Sequence, residues 1–301
     1  MQPKHWQFWI DRGGTFTDVI GISEQGDLEV IKLLSENTQQ YPDSSIEGIR
    51  QILGLKKSQI INTELISHVK MGTTVATNAL LEHRGAKVLL LITKGFADLP
   101  SIGYQNRADI FALNIKKPES LYSDCFEVDE RISAEGSVLK SMDCSRLKER
   151  LIEARKEGFD SIAIALMHSY KNPEHELKLE QLVRDMGFES ISTSHKLSPL
   201  PRLVPRTDTT LIDAYLSPIL KRYIGQVEQS LGAASLQFMQ SNGGLTQAQH
   251  FSGCNSILSG PAGGVVGMVE TAKQLGFDRI IGFDMGGTST DICLYQGSYQ
   301  Q

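Results

Sequence analysis

The sequence predicts an α/β protein: one domain, a smaller α/β unit inserted in or appended to it, and the start of a second domain. Three observations predict this. The pattern Asp-x-Gly-Gly-Thr-x-Thr-Asp occurs twice, at residues 11–18 and 284–291, each time between strand-like runs. The first hundred residues alternate β-branched and amphipathic segments. Residues 144 to 194 alternate helix-like and strand-like segments on a smaller scale.

In order, "QFWID" and "TFTDVIGIS" flank Gly13-Gly14 and form a hairpin. "DLEVIKLLS" supplies a third strand after the turn at Gln25-Gly26-Asp27. "PDSSIEGIRQILGL" puts Ile46, Ile49, Ile52 and Leu53 on one helical face. "LISHVKMG" reads as a strand, "TVATNALLEHRG" as a helix stopped at Gly85, and "KVLLLIT" as a buried strand. The resulting order, β-β-β-α-β-α-β, is that of the core of ribonuclease-H-like domains.

In the smaller unit, "SRLKERLIEARKEGF" and "EHELKLEQLVRDMGF" are helical, and "DSIAIALM" and "ESISTS" are strands. Gly158-Phe159-Asp160, Gly187-Phe188-Glu189 and Gly276-Phe277-Asp278 share one junction grammar, in which a left-handed glycine ends a helix before a strand. Pro199, Pro201 and Pro205 crowd "LSPLPRLVPR" and mark a non-helical connector. Beyond it, the sequence predicts a helix broken or kinked near Pro218, a strand "LQFMQSNGG", a Gly-rich helix start "SGPAGGVVGMVETAKQLG" and the second hairpin. The division is therefore 1–197, a connector at 198–206, and 207–301.

The formal net charge of -5 and the absence of a Lys/Arg-dense run argue against nucleic acid or an acidic membrane as partner. Cys125, Cys144, Cys254 and Cys293 lie far apart without metal-ligand spacing, as in a cytoplasmic protein with reduced thiols. No apolar run approaches the ~18 residues that span a bilayer, and the N-terminus does not read as a signal peptide.

A strand ending in Asp, a Gly-Gly turn and a strand opening on Thr gather backbone N–H groups and hydroxyls around a small concavity suited to phosphate. Asp11 and Asp284 stand where they can hold Mg²⁺ through water. Two ordinary hairpins are the alternative. Agreement at six of eight positions in both copies favours the phosphate reading, and no G-x-x-x-x-G-K-[ST] loop is present.

The paired hairpins resemble the phosphate-1 and phosphate-2 motifs of the actin, sugar kinase and heat-shock ATPase superfamily, where two ribonuclease-H-like domains clamp ATP. "SGPAGGVVGMVETAK" lies where that superfamily has its interdomain connecting helix. The sequence is further identified as resembling the hydantoinase A/5-oxoprolinase family. The resemblance rests on "IDRGGTFTDV", "KLLSE", "MGTTVATNALLE", "VDER", "ALMHSY", "VPR", "DAYLSPIL", "SNGGL", "LSGPAGGVVG" and "GFDMGGTSTD" in order. Arg12, "KLLSE" and "LMHSY" look more like ATP-hydrolysing 5-oxoprolinase than like hydantoinases.

The resemblance implies ATP and Mg²⁺ as cofactors and the opening of 5-oxo-L-proline to glutamate through a phosphorylated amide. It assigns Asp11, Gly13, Gly14, Thr15 and Thr17 to the first phosphate loop and Asp284, Gly286, Gly287, Thr288 and Thr290 to the second. Asp18 and Asp291 are hairpin anchors or ligands. Thr73 and Thr74 face an anion or cap a helix, and Ser241 to Gly244 line the cleft or form a plain turn. Arg107 is a candidate for the substrate carboxylate, and His168 a candidate for polar lining or a structural histidine. Implied partners are a small cyclic amide, a region C-terminal to Gln301 or a hydantoinase B-type subunit, and a second copy in a homodimer. The superfamily places its adenosine segment after the second hairpin, so the chain reads as an N-terminal fragment with little activity alone. The alternatives are hydantoin hydrolysis, acetone-carboxylase-like chemistry, an ATP-driven reactivating chaperone, and an assembly surface within a larger complex.

Overall fold

The computed structural model describes residues 5–56, 59–104, 106, 109, 111–115, 117, 119–232, 234–287 and 290–299. In chain order its strands and helices begin β1 (Trp6–Arg12), β2 (Phe16–Ser23), β3 (Leu28–Leu34), α1 (Ser44–Ile52), β4 (Ile66–Thr73), α2 (Val75–Leu81), β5 (Val88–Thr93) and α3 (Leu99–Ile102). There follow β6 (Asp124–Ile132), β7 (Val138–Asp143), α4 (Ser145–Lys156), β8 (Ser161–Ala165), α5 (Glu174–Asp185), β9 (Ser190–Thr193) and α6 (Ser194–Leu197). The last are α7 (Leu203–Leu231), β10 (Ser235–Met239), β11 (Leu245–Gln247), α8 (Ser259–Gln274), β12 (Arg279–Met285) and β13 (Thr290–Gln296). Two compact units result, Met1–Glu82 with Leu220–Gln301, and His83–Ile219.

The first unit is built on a sheet of order β11-β10-β4-β1-β2-β3. β1, β2 and β3 are antiparallel neighbours, while β4 runs parallel to β1 and β10 parallel to β4. Period-2 alternation sends Phe8, Ile10 and Val19 to one face, where they are buried with Ile46, Ile49 and Ile52 of α1. Asp43 fixes the start of α1, its side chain accepting from the Ile46 N–H at 3.0 Å. Gly48 permits the close approach, because a Cβ there would come within 2.9 Å of Val19 Cβ. The opposite face bears Trp9 and Asp11 of β1, Asp18 and Ile20 of β2, and Lys70 and Gly72 of β4, in cross-strand register.

"KVLLLIT" forms β5 as expected, but it does not join this sheet; its expected place beside β4 is taken by β10, more than 140 residues later. β5 instead lies at the centre of the second unit, whose order is β7-β6-β5-β8-β9. Covered on both faces in a largely parallel sheet, β5 is buried at every position, which explains its unbroken apolar run. The smaller unit therefore extends well beyond residues 144 to 194.

Its core includes Leu89, Leu91, Leu147, Leu151, Leu179 and Val183. Two buried carboxylates are fully engaged. Glu130 accepts from Thr93 and from His175 Nδ1, and Glu176 accepts from the Leu166 and His195 N–H groups, Ser194 Oγ and His195 Nδ1. Near them Arg206 is fully buried, donating to Ser169 and Ser194.

The three Gly-Phe junctions share one hydrogen-bond pattern. Gly158, Gly187 and Gly276 have φ of 76°, 85° and 80°, and each following Phe N–H reaches back to Ala154, Val183 and Ala272 respectively. That is the Schellman arrangement. Gly85, by contrast, does not stop α2, which ends at Leu81 with Glu82 as cap. Gly85 is needed because a Cβ would overlap the Tyr215 ring. The Pro-rich connector is also shorter than expected. α7 begins at Leu203 and includes Pro205 in its first turn, where a missing N–H is tolerated, and it runs through Pro218 to Leu231 as one helix.

Candidate functional site

Both repeats form antiparallel hairpins in the same register, Asp11 opposite Asp18 and Asp284 opposite Asp291. Their turns meet within the first unit. A Cβ on Gly287 would lie 2.8 Å from Thr15 Oγ1, so a glycine is what lets the second turn approach the first. Asp11 stands at the end of β1 beside Gly72, where an added Cβ would touch its carboxylate at 3.4 Å. Partial desolvation by the cleft walls raises the Asp11 pKa, and the like charges of Asp18 and Asp284 raise it further, opposed by Lys32.

Asp11 opens on a cleft of about 390 Å³. Its floor is the sheet face with Trp9, Asp18, Ile20, Lys70 and Gly72, and its wall is the N-terminal part of α8 at Ser259, Gly260, Gly263 and Gly264, with Met239 and Leu245. Asp284 and Asp291 line a second cleft, about 380 Å³, with Met268 and with Gly264 of α8, which the first cleft shares. An added Cβ at Gly260 or Gly263 of α8 would make only ordinary contacts, with Thr74 at 3.5 Å and Met239 at 3.7 Å. Ser259 Oγ donates to the Thr73 carbonyl at 2.8 Å, tying the helix start to the end of β4.

Gly13 and Thr15 shape the first turn, where Gly13 N–H donates to Phe16 O at 3.0 Å, and Gly14 lies between them. Thr17 departs from the expectation. The strand alternation that turns Asp18 to the cleft turns Thr17 inward, and its buried hydroxyl meets Ser35 Oγ at 3.0 Å and Ser44 Oγ at 2.8 Å. Ser35 was not singled out in the sequence. It braces the turn from behind, donating from Oγ to Gly13 O and from N–H to Thr15 O. Nothing local marks it, because its role depends on β3 returning beside β2.

Asp18 is held by Lys32 through bonds of 2.8 and 2.7 Å, an anchor from the neighbouring strand. Arg12 turns away from the cleft, its guanidinium 5.0 Å over the Tyr223 ring and 3.9 Å from Asp43. Thr74 precedes α2 without a capping side-chain bond and instead donates from both N–H and Oγ1 to Arg12 O, so the expected cap becomes a strap to β1. Thr73 is buried, its hydroxyl accepting from Val75 N–H. Ser241 to Gly244 form the turn between β10 and β11, with Gly243 at φ 80°. In the second hairpin, Gly286 and Gly287 lie in the turn and Thr290 opens β13 opposite Met285. Thr288 and Arg107 lie outside the described residues. His168 belongs to the second unit, at φ 59°, its Nδ1 2.8 Å from the Ile132 carbonyl. Among the described residues, no helix is long and apolar enough to cross a membrane.

Two family descriptions match the chain in succession: the hydantoinase/oxoprolinase N-terminal region over residues 7–187 and hydantoinase/oxoprolinase over residues 206–301. 5-Oxoprolinase 1 of Arabidopsis thaliana is 45% identical over 98% of this chain and 26% of its own length. The 5-oxoprolinase of Saccharomyces cerevisiae is 40% identical, again over 98% of this chain and 26% of its own length. The chain thus spans about a quarter of the length of these relatives. A solved ATP-dependent caprolactamase from Pseudomonas jessenii matches with a TM-score of 0.80 at 30% identity, over 96% of this chain and 43% of that one. An acetone carboxylase structure shares the fold with a TM-score of 0.82 at 22% identity, over 98% of this chain and 44% of that one. The chain belongs to the hydantoinase/oxoprolinase family.

Proposed function

We propose that the longer protein containing this chain hydrolyses 5-oxo-L-proline to L-glutamate at the expense of ATP, and that the two hairpins hold the triphosphate. One observation carries the reading: two copies of one glycine-rich turn converge, with Gly287 against Thr15. We read the two adjoining turns as donors to one polyphosphate, since glycine-rich backbone turns form anion-binding concavities. The 5-oxoprolinases among the relatives favour this substrate over hydantoins or ketones.

A lactam carbonyl resists water because nitrogen donates into it. In the proposed reaction the lactam oxygen attacks the γ-phosphorus of ATP and ADP leaves. Water then adds to the activated carbon, the C–N bond breaks with a proton passing to nitrogen, and a second water releases phosphate. The chain's part in the first step is positioning and charge neutralisation. Gly13 and Gly287 keep the turns free of side chains, Ser35 and Thr17 fix the first turn from behind, and the α8 glycines leave room for the ring.

Mg²⁺ fits the residues present. Asp11, with Asp18 and Asp284 close enough to raise its pKa, is a carboxylate that a divalent cation would relieve of like-charge repulsion. Among the described residues no three His, Cys, Asp or Glu side chains form an all-protein metal cage, and Mg²⁺ uses few carboxylates when water and phosphate supply the rest. Asp11 and Asp284 are the proposed holders, through water, and the ion would neutralise charge on the phosphates. The test is a coupled assay on the longer protein. The expected result is ADP and glutamate formed together and only when 5-oxoproline is present; ATP turnover indifferent to any cyclic amide would sink the proposal.

A further inference from the structure

We propose that Lys70 determines substrate specificity by receiving the carboxylate of the cyclic amide, an inference that rests on the function proposed above. Lys70 lies mid-strand on β4, and its parallel register sets it beside Trp9, on the same sheet face as Asp11 and Gly72. It lines the cleft into which Asp11 opens. Its ammonium sits over the Trp9 ring at 5.7 Å, a contact that orients the group without neutralising it. Among the described residues no carboxylate lies within ion-pair distance of Lys70, whereas Lys32, on β3 of the same sheet, is paired with Asp18. A half-buried cation in a concave, mostly apolar cleft is a receptor for an anionic group of the ligand.

The spacing separates the two ends of the ligand. Lys70 stands two residues before Gly72, and Gly72 is level with Asp11. Two residues of strand cover about 6.6 Å. A five-membered lactam with a carboxylate beside its nitrogen fits that span, its carbonyl toward Asp11 and the phosphate turns and its carboxylate toward Lys70. The N-terminus of α8 borders the same cleft at Ser259 and Gly260 and adds its positive end to the field felt by the anion. The apolar residues Trp9, Ile20, Met239 and Leu245 suit the ring methylenes.

The experiment compares the longer protein with its Lys70→Met and Lys70→Arg variants on two lactams, 5-oxo-L-proline and 2-pyrrolidinone, the latter being the same ring without a carboxylate. Lys70→Met is expected to raise KM for 5-oxoproline at least tenfold while leaving KM for ATP within about twofold, a split that follows from losing one charge-assisted contact to one substrate only. Turnover of 2-pyrrolidinone stays at the wild-type level or rises, and Lys70→Arg restores 5-oxoproline binding. Should Lys70→Met fail to fold, Lys70→Gln is read in the same way. An unchanged KM for 5-oxoproline, or a parallel loss on both lactams with a raised KM for ATP, overturns the assignment of Lys70 while leaving the proposed function in place. A wild-type enzyme whose ATP turnover ignores both lactams overturns the function and this assignment together.

Discussion

In the proposed reaction, Asp11 is the residue where stability and chemistry pull in opposite directions. Its pKa is raised chiefly by burial in the cleft, then by Asp18 and Asp284. A carboxyl whose folded pKa lies above its unfolded one favours the folded state at pH below the unfolded value. That contribution is lost as pH rises through the folded value. At neutral pH the ionised group therefore costs stability. Asp11→Asn should raise the denaturant midpoint of the chain at pH 7, with the difference fading below about pH 4, near the unfolded carboxylate value. The same substitution in the longer protein should lower 5-oxoproline-dependent ADP release by about 10²-fold or more, the scale on which removal of one charge-stabilising group acts. An equal or lower midpoint at pH 7 would contradict the electrostatic reading. Asp11 was legible in the sequence because its motif occurs twice. Lys70 was not: it is an ordinary alternating residue of "LISHVKMG", and only the pairing of β4 with β1 brings it to Trp9.

At the scale of elements, α8 is the wall common to both clefts. Gly260, Gly263 and Gly264 line the first cleft, and Gly264 lines the second as well. A Cβ at Gly264 would meet nothing within 4 Å, so a side chain there starts in open space, which in the proposed reading belongs to the ligand. Gly264→Leu is expected to leave the chain as stable as before or more stable by up to about 1 kcal/mol through helix propensity. In the longer protein it should reduce lactam-dependent ATP turnover at least tenfold. Thermal melting and the coupled assay check the two halves; a large loss of stability would mean that the glycine serves packing. Local signals read most elements correctly, including all three Schellman ends. They failed where a distant partner decided the outcome. β10 rather than β5 borders β4, Gly85 serves Tyr215 rather than a helix stop, and Pro205 is absorbed into the first turn of α7.

At the scale of the whole molecule, the repeat spaced 273 residues apart, Asp11 to Asp284, closes into neighbouring turns within one compact unit. The second hairpin pairs only with itself among the described strands, as β12 with β13. Its outer face carries Ile281, Phe283 and Ile292 exposed, at positions whose counterparts Phe8, Ile10 and Val19 are buried in the first copy. The central claim is that both hairpins serve one nucleotide. It is tested most directly by a double-mutant cycle on 5-oxoproline-dependent ADP release by the longer protein, with Asp11→Asn, Asp284→Asn and the pair. Groups acting on one ligand are strongly non-additive, so the double variant should lose little more activity than the worse single one. A loss equal to the product of the two single losses would mean two independent sites and would contradict the claim.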